Sequence, residues 1–431
     1  MKKIIQLKLK VLAKMILAKY KPQVVGITGS VGKTGTKEAV YTVLRSKFKA
    51  RRSKKNYNNE LGVPLTIIGA GAPGKSIPGW CFVFLKAAWL LVWKDKNYPE
   101  VLVLELGVDR PGDMDYLMNI VKCDIGIITA IGANHLEFFQ SKTAIQKEKG
   151  RLIENLKKGG WAILNYDNQK SRELTGKSTS KTLTYGFSEK SNVRAQNIIF
   201  KFEEDGDIED MSGISFKLNY KGSVVPISLP RVIGYSAIYA ALAGAAVGIT
   251  QEMNLVEISR ALKDFYLPAG RMNLIKGIKH TLIIDDSYNA SPQSTVSALE
   301  FIRKIDLGEK GRKWAVLGDM MELGSYTEEG HSQVGKKVVE TDFDKLVTVG
   351  ERARDIGRAG REAGLRKEDI FNFASSEEAG RFIQERMEEG DLLLVKGSQS
   401  VRMEKIVKEI MADPLNAKNI LVRQSEDWLK K

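Results

Sequence analysis

Cysteine is scarce. Cys81 and Cys123 are the only two in 431 residues, which excludes a disulfide framework and a four-cysteine zinc site and favours a reducing compartment. Three histidines leave little room for a His-rich metal centre. Eleven prolines and 39 glycines, with no short repeat, exclude a collagen-like or low-complexity polymer. Long apolar runs are missing as well. Trp80–Trp93 is the most apolar stretch, but it has 14 residues with Lys86 inside it, short of the roughly 20 that cross a bilayer. A core helix is the plain reading of this stretch. Its three Trp leave membrane-interface contact or a partner-binding face as the sharper reading.

What is present is a core-forming chain. Hydrophobic residues make up 43% and charged residues 28%, so a wholly disordered protein is excluded. The length suggests two or three domains. Lys and Arg number 67 against 52 Asp and Glu, a net charge of +15. That excess points to an anionic partner: nucleic acid, a phosphorylated substrate or a membrane surface. Residues 1–21 carry seven lysines among Ile4, Leu7, Val11, Leu12, Met15 and Ile16. They read as a basic amphipathic helix, not as a secretory signal, because lysine interrupts any apolar core. The helix either packs on the first domain or lies on an anionic membrane.

Short β-rich runs at Val24–Thr28, Val101–Leu104, Ile125–Thr129 and Trp161–Leu164 alternate with amphipathic segments. This predicts a mostly parallel sheet with crossover helices. Ile198–Phe202, Ile214–Tyr220 and Val224–Leu229 read as a small antiparallel section, followed by an Ala-rich helix over Tyr235–Val247. A break near Leu267-Pro268-Ala269-Gly270 opens a second series, with strands at Thr281–Ile284, Trp314–Leu317, Lys345–Val349 and Leu392–Val395. The expected fold is α/β: the helix of residues 1–21, a P-loop ATPase-type central domain over 22–266 and a Rossmann-like domain over 267–431.

Thr28-Gly29-Ser30-Val31-Gly32-Lys33-Thr34 runs from strand to helix. Small residues let backbone N–H groups close on phosphate oxygens, and the helix adds its positive end. Lys33 suits the β- and γ-phosphates, and the Thr34 hydroxyl suits Mg²⁺. The strict phosphate-loop pattern wants glycine five places before Gly32, where Ile27 stands, so this is a variant. Glu105 ends a buried strand in a carboxylate at the edge where α/β sheets bind ligands. His135 follows the next strand, and the two strands are expected to be neighbours delivering both residues to one rim. Lys147-Glu148-Lys149-Gly150 reads mostly as a solvated helix face, and its chemistry alone does not single out Lys149.

Further motifs follow in order: Asn58-Asn59-Glu60-Leu61-Gly62-Val63-Pro64, Glu105-Leu106-Gly107, His135-Leu136-Glu137, Asn165-Tyr166-Asp167-Asn168, Gly270-Arg271, Asp285-Asp286-Ser287-Tyr288-Asn289, Gly318-Asp319-Met320-Met321-Glu322 and Lys396-Gly397-Ser398. Together with the phosphate loop they resemble the Mur ligase family of ATP-dependent amide ligases in peptidoglycan precursor synthesis. The resemblance is greatest to the branch that adds D-alanyl-D-alanine to a UDP-muramoyl tripeptide. The family loop also explains the missing first glycine.

The resemblance implies a set of roles. Gly29, Ser30, Gly32, Lys33 and Thr34 would bind ATP, with Arg271 reaching across from the second domain and Asp286 and Asn289 contacting the nucleotide. Thr34, Glu105, His135 and Lys149 would hold two Mg²⁺ ions, Lys149 as a carbamate. Lys33, Lys149, His135 and Arg271 would be catalytic. Asn58 and Asn59, after the basic run Arg51-Arg52-Ser53-Lys54-Lys55, would meet an anionic precursor. Asp319, Glu322 and Lys396 would lie near the incoming amino acid or dipeptide. Domain closure would assemble the site for an acyl-phosphate mechanism.

Three departures accompany the resemblance. The phosphate loop begins by residue 26, so the usual N-terminal UDP-binding domain is expected to be absent. Trp80–Trp93 has no place in the family pattern. Gly234-Tyr235-Ser236 and Ser291 replace frequent family residues without removing a group needed for phosphoryl transfer. The alternative is a Mur-like ligase for a lipid-linked or polymeric carboxylate acceptor, and a non-enzymatic nucleotide-dependent binder stands third. The expected protein is a cytoplasmic monomer, peripheral to the inner membrane face through residues 1–21 and 80–93, with no nucleic-acid partner.

Overall fold

The computed structural model describes residues 2–54, 57–133, 136–177, 180–202, 211–230, 232–308 and 311–429. Among them, two sheets carry the fold. The first contains β1 (Gln23–Thr28), β2 (Ala50–Arg52), β3 (Val101–Glu105), β4 (Ile125–Ile128), β5 (Trp161–Asn165), β6 (Lys181–Gly186), β7 (Val193–Phe202), β8 (Met211–Tyr220) and β9 (Ser223–Pro230). Their order is β2-β3-β1-β4-β5-β6-β7-β8-β9. Pairing is parallel from β2 to β7 and antiparallel from β7 to β9.

This order corrects one expectation. The strands ending near Glu105 and His135 are not neighbours, because β1 lies between β3 and β4. The phosphate loop therefore leaves the sheet from its centre, with Glu105 on one side.

Helices α1 (Lys2–Tyr20), α2 (Lys33–Arg45), α3 (Gly62–Ile68), α4 (Ile77–Val92), α5 (Asp113–Ile120), α6 (Leu136–Phe139), α7 (Lys142–Glu154), α8 (Gln169–Arg172) and α9 (Tyr235–Thr250) accompany this sheet. Alternate residues of its strands feed two cores. Val25, Ile27, Val103 and Ile127 pack under α2 and α9, while Val24, Leu102, Leu104 and Ile128 pack under α1, α3, α4, α5 and α7. A parallel sheet covered on both faces explains why its strands read as unbroken apolar runs. Small residues bring α2 and α9 close: a side-chain carbon at Gly244 would press within 3.1 Å of the Ala39 carbonyl.

The second sheet has β10 (Asn273–Lys276), β11 (Leu282–Asp286), β12 (Lys313–Gly318), β13 (Lys345–Val349), β14 (Ile370–Phe373) and β15 (Leu392–Lys396), in the order β10-β11-β15-β12-β13-β14. Only β10 is antiparallel. The sheets are joined by apolar contact as well as by the chain. Phe301 meets Phe200 at 5.2 Å and Tyr235 at 5.7 Å between ring centroids, both edge-on, geometries that aromatic quadrupoles favour.

Helix α1 packs on the first sheet's helices through Leu9, Ala13 and Ile16, all fully buried. The Trp-rich stretch is helical as expected, but it is not a core helix. Only Val83, Ala87 and Leu90 are buried in α4. Among the described residues no helix is long and apolar enough to cross a membrane.

Candidate active site

The loop after β1 is held open by glycine. Gly29 has φ +150°, and a side chain there would collide with Thr129 Oγ1. Gly32 takes φ 85° at the N-cap of α2 without a capping side chain, leaving the first backbone N–H groups of that helix for an anion. Ser30 N–H donates to Ala130 O at 2.6 Å, and Thr129 Oγ1 donates to Val31 O at 2.6 Å. These bonds fix the loop to the end of β4.

Lys33 folds back and donates to Gly29 O at 2.7 Å. It is half-exposed to solvent at the floor of the cleft, yet enclosed by protein. Desolvation is the largest influence and pulls its pKa down. Glu105, Asp109 and Glu322 oppose that shift, and Arg271 adds to it. Arg271 and Glu322 come from the second sheet's side, so both halves of the molecule act on this one ammonium.

Glu105 is buried at the end of β3. Its carboxylate accepts from Thr34 Oγ1 and from Asn58 Nδ2, both at 3.1 Å. Lys37 lies 3.9 Å from Glu105 and 3.2 Å from Glu38, and Arg52 reaches Glu38 at 2.7 Å. Thr34 and Glu105 thus offer two adjacent hard oxygen donors, the set that suits Mg²⁺ bound with a substrate's phosphates and water. No cluster of three His, Cys, Asp or Glu forms a ready-made metal cage among the described residues. His135 lies outside the described residues.

Lys149 overturns the solvated-face reading. Its side chain is fully buried on α7, next to buried Glu148, while Lys147 is exposed. Nζ donates to Val108 O at 3.4 Å. Burial first and Lys33 second lower its pKa to about 7, against the opposite pull of Asp109, Glu148 and Asp113. A buried amine with that pKa is substantially neutral near pH 7 and therefore nucleophilic.

The facing wall belongs to the second sheet. Asp286 ends β11 and pairs with Lys396, at the end of β15, at 2.6 Å; Lys396 also donates to Asn289 O at 2.9 Å. The Arg271 guanidinium lies 4.1 Å over the Tyr288 ring. Arg423 donates to the Ser287 and Tyr288 carbonyls and pairs with buried Glu404 at 2.8 Å, which pins the turn that carries Tyr288.

One cleft of about 480 Å³ joins the two walls. Ser30, Gly32, Lys33, Thr34, Asn58 and Glu105 line it from the first, and Arg271, Asp286, Asn289 and Lys396 from the second. Among the described residues, Gly29, Asn59, Lys149, Asp319 and Glu322 are not in its lining. Asn59 caps α3, its Oδ1 accepting from Leu61 and Gly62 N–H. Asp319 accepts from Ala353 N–H at 2.7 Å. Glu322 is exposed at φ 64°. Lys396 sits with Asp286 and Asn289. Sequence reasoning missed Lys37, Glu38, Asp109 and Arg423. For Lys37 and Glu38 the only signal is charge in a core position, visible once the helix faces are known.

A phosphate loop at the centre of a parallel sheet, facing a second α/β body across a charged cleft, defines a two-domain nucleotide-handling enzyme. The Mur ligase middle domain matches residues 89–248, and the Mur ligase glutamate ligase domain matches 270–399. The chain belongs to the Mur ligase family, whose members are ATP-dependent ligases. UDP-N-acetylmuramoyl-tripeptide–D-alanyl-D-alanine ligase of Bacillus subtilis is 28% identical over 405 residues, spanning 94% of this chain and 79% of the relative. The MurF ligase of Thermotoga maritima, solved in complex with ADP, superposes with a TM-score of 0.77 at 26% identity, over 94% of this chain and 83% of its own. MurF of Acinetobacter baumannii gives 0.76 at 25% identity, over 95% and 80%.

Proposed function

We propose that this chain joins D-alanyl-D-alanine to a UDP-muramoyl tripeptide at the expense of ATP. The observation that carries the reading is the single cleft in which Lys33, Thr34 and Glu105 face Arg271 and Asp286. The named activity of relatives spanning over nine-tenths of the chain favours the substrate pair.

A carboxylate is a poor electrophile for amide formation. Transfer of the ATP γ-phosphoryl to the tripeptide carboxylate gives an acyl phosphate and ADP. The dipeptide amine attacks that carbonyl, its proton is lost, and the tetrahedral intermediate expels phosphate. Lys33 and the N-terminus of α2 hold negative phosphoryl oxygens in a partly desolvated site, where fixed positive charge is most effective. Arg271 lies ready to neutralise the same charge from the opposite wall. Thr34 and Glu105 fit magnesium, which when bound supplies charge neutralisation on the phosphates. Lys149 fits carbamoylation: its neutral amine adds to CO₂ and loses a proton, which replaces a buried cation with an anion able to hold a second Mg²⁺. Asn58, which lines the cleft, serves the anionic precursor, while Asn59, Asp319 and Glu322 lie outside the lining and Lys396 holds Asp286 and the Asn289 carbonyl. The domains divide near residue 267, and the enzyme works as a cytoplasmic monomer.

The test is ADP release scored against pairs of acids and amines. Turnover that requires both a UDP-muramoyl tripeptide and D-alanyl-D-alanine is expected. Turnover with another acid, and none with this pair, overturns the substrate assignment and leaves the ligase class standing.

A further inference from the structure

Helix α4 turns its most apolar side to solvent. Phe82, Leu85, Trp89, Val92 and Trp93 are 65, 69, 47, 67 and 60% exposed. Their spacing puts them on one stripe, opposite buried Val83, Ala87 and Leu90. From Phe82 to Trp93 the stripe runs roughly 16 Å at 1.5 Å per residue. Helix α1 repeats the pattern. Ile4, Leu7, Val11 and Met15 are exposed, opposite buried Leu9, Ala13 and Ile16. Lys19 and Tyr20 of α1 bind carbonyls at the end of α4: Lys19 Nζ donates to Leu90 O, Leu91 O and Trp93 O at 2.8–2.9 Å, and Tyr20 Oη donates to Leu90 O at 3.0 Å. The two helices thus form one unit.

Charge on this unit is mostly positive, with Glu60, bound by Gln6, and Asp95, bound to Tyr20, as acids at its margins. Residues 1–21 and 61–94 contain no Asp or Glu. Lys86, the one charge within the Trp-rich stretch, turns inward and caps the end of α3 through Gly69 O at 2.6 Å, so the outer stripe is unbroken. Lys3, Lys8, Lys14, Lys75 and Lys94 are exposed around it. An apolar stripe rich in Trp, on two helices whose own charged residues are all lysine, matches the physics of helices that lie in the interface of a negatively charged bilayer.

We propose that α1 and α4 together dock this protein on an anionic lipid surface, lying on the membrane without crossing it. The docked face adjoins the cleft. Gln6 donates to Glu60 at 2.8 Å, two residues along from Asn58, whose amide holds Glu105. Docking therefore presents the Asn58 side of the cleft toward the bilayer. The proposal does not rest on the ligase reading, since vesicle binding is measured without turnover.

The test is co-sedimentation of the full chain with vesicles of phosphatidylcholine alone or mixed with phosphatidylglycerol, with Trp emission read in parallel. Binding is expected only to the anionic vesicles, with a blue shift of Trp emission and weakening in high salt. The triple variant Phe82→Ser, Leu85→Ser, Trp89→Ser is expected to lower the partition coefficient by about tenfold or more. Lys3→Gln, Lys8→Gln and Lys14→Gln each lower it roughly fivefold. All of these side chains are exposed, so circular dichroism and ATP hydrolysis in solution stay as in the parent. Three results overturn the proposal: no binding to anionic vesicles, equal binding to both vesicle types, or a wild-type dimer that the triple variant splits. The last assigns the face to a second copy of the chain.

Discussion

The two walls of the cleft hold charge differently. On the first sheet's side Lys33, in the cleft lining, and Lys149, fully buried outside that lining, each donate to a backbone carbonyl, Gly29 O and Val108 O, and both have lowered pKa values. On the second wall the cations meet carboxylates directly, Lys396 with Asp286 and Arg423 with Glu404. A desolvated ammonium whose direct partner is a neutral carbonyl, with carboxylates acting on it only from farther off, gains most from an incoming anion, because desolvation has already been incurred. A pair that is already neutralised gains little and serves instead to fix geometry. The first side is thus built to receive negative charge, while on the second the Lys396 and Arg423 pairs hold the wall in place around Arg271, which lines the cleft over Tyr288.

Substitutions test that contrast. Lys33→Ala removes a charge reserved for the phosphoryl group, so kcat for ADP release is expected to fall about 1000-fold, ~4 kcal/mol in the barrier, with little change in the unfolding midpoint. A large loss of stability would instead make Lys33 a structural cation.

Lys149 gives the converse result. Its folded pKa is about 7 against an ordinary 10.5. Between those values the unfolded chain binds the extra proton, so stability rises with pH across the window, and the burial cost is largest below about pH 7. Lys149→Met is therefore expected to abolish turnover while stabilising the uncarbamoylated protein at pH 7 by up to about 4 kcal/mol. That gain fades toward pH 10.5. Urea unfolding in bicarbonate-depleted buffer at the two ends of the window measures it, and a pH-independent difference removes the argument.

On the second wall, Lys396→Met leaves Asp286 without its cation and is expected to cost about 3 kcal/mol of stability. The companion variant Lys396→Met/Asp286→Leu should recover most of that loss in urea melts. If the double variant is no better than the single one, the pair is not the source of the rigidity.

Much of this was legible in the sequence. β1, β3, β4 and β5 are apolar runs because both faces of a parallel sheet are buried, and Glu105 stands out as the acid that ends one. β2 was missed because two of its three residues are arginines. Arg51 donates to the Thr66 and Ile67 carbonyls, and Arg52 lies 4.1 Å over the Tyr41 ring and pairs with Glu38, so basic residues occupy an ordered strand. β10 and β14 are short outer strands of the second sheet with half-buried faces, which leaves too little alternation to read. Lys149 was invisible for another reason. A lysine on a charged helix looks solvated until α5 and the loop bearing Val108 and Asp109 close over it. The exposed side of α4 escaped because apolar composition predicts burial and cannot show which face lacks a neighbour.

The field at Lys33 has a further consequence. Arg271 and Glu322 act on this ammonium with opposite signs from beyond the first sheet. Any movement that separates the two sheets withdraws both at once and leaves Glu105 and Asp109 as the nearest named charges. The phosphate loop is thereby informed of the second domain's position through space, before any side chain touches another. An interdomain hinge and a proton equilibrium become two readings of the same coordinate.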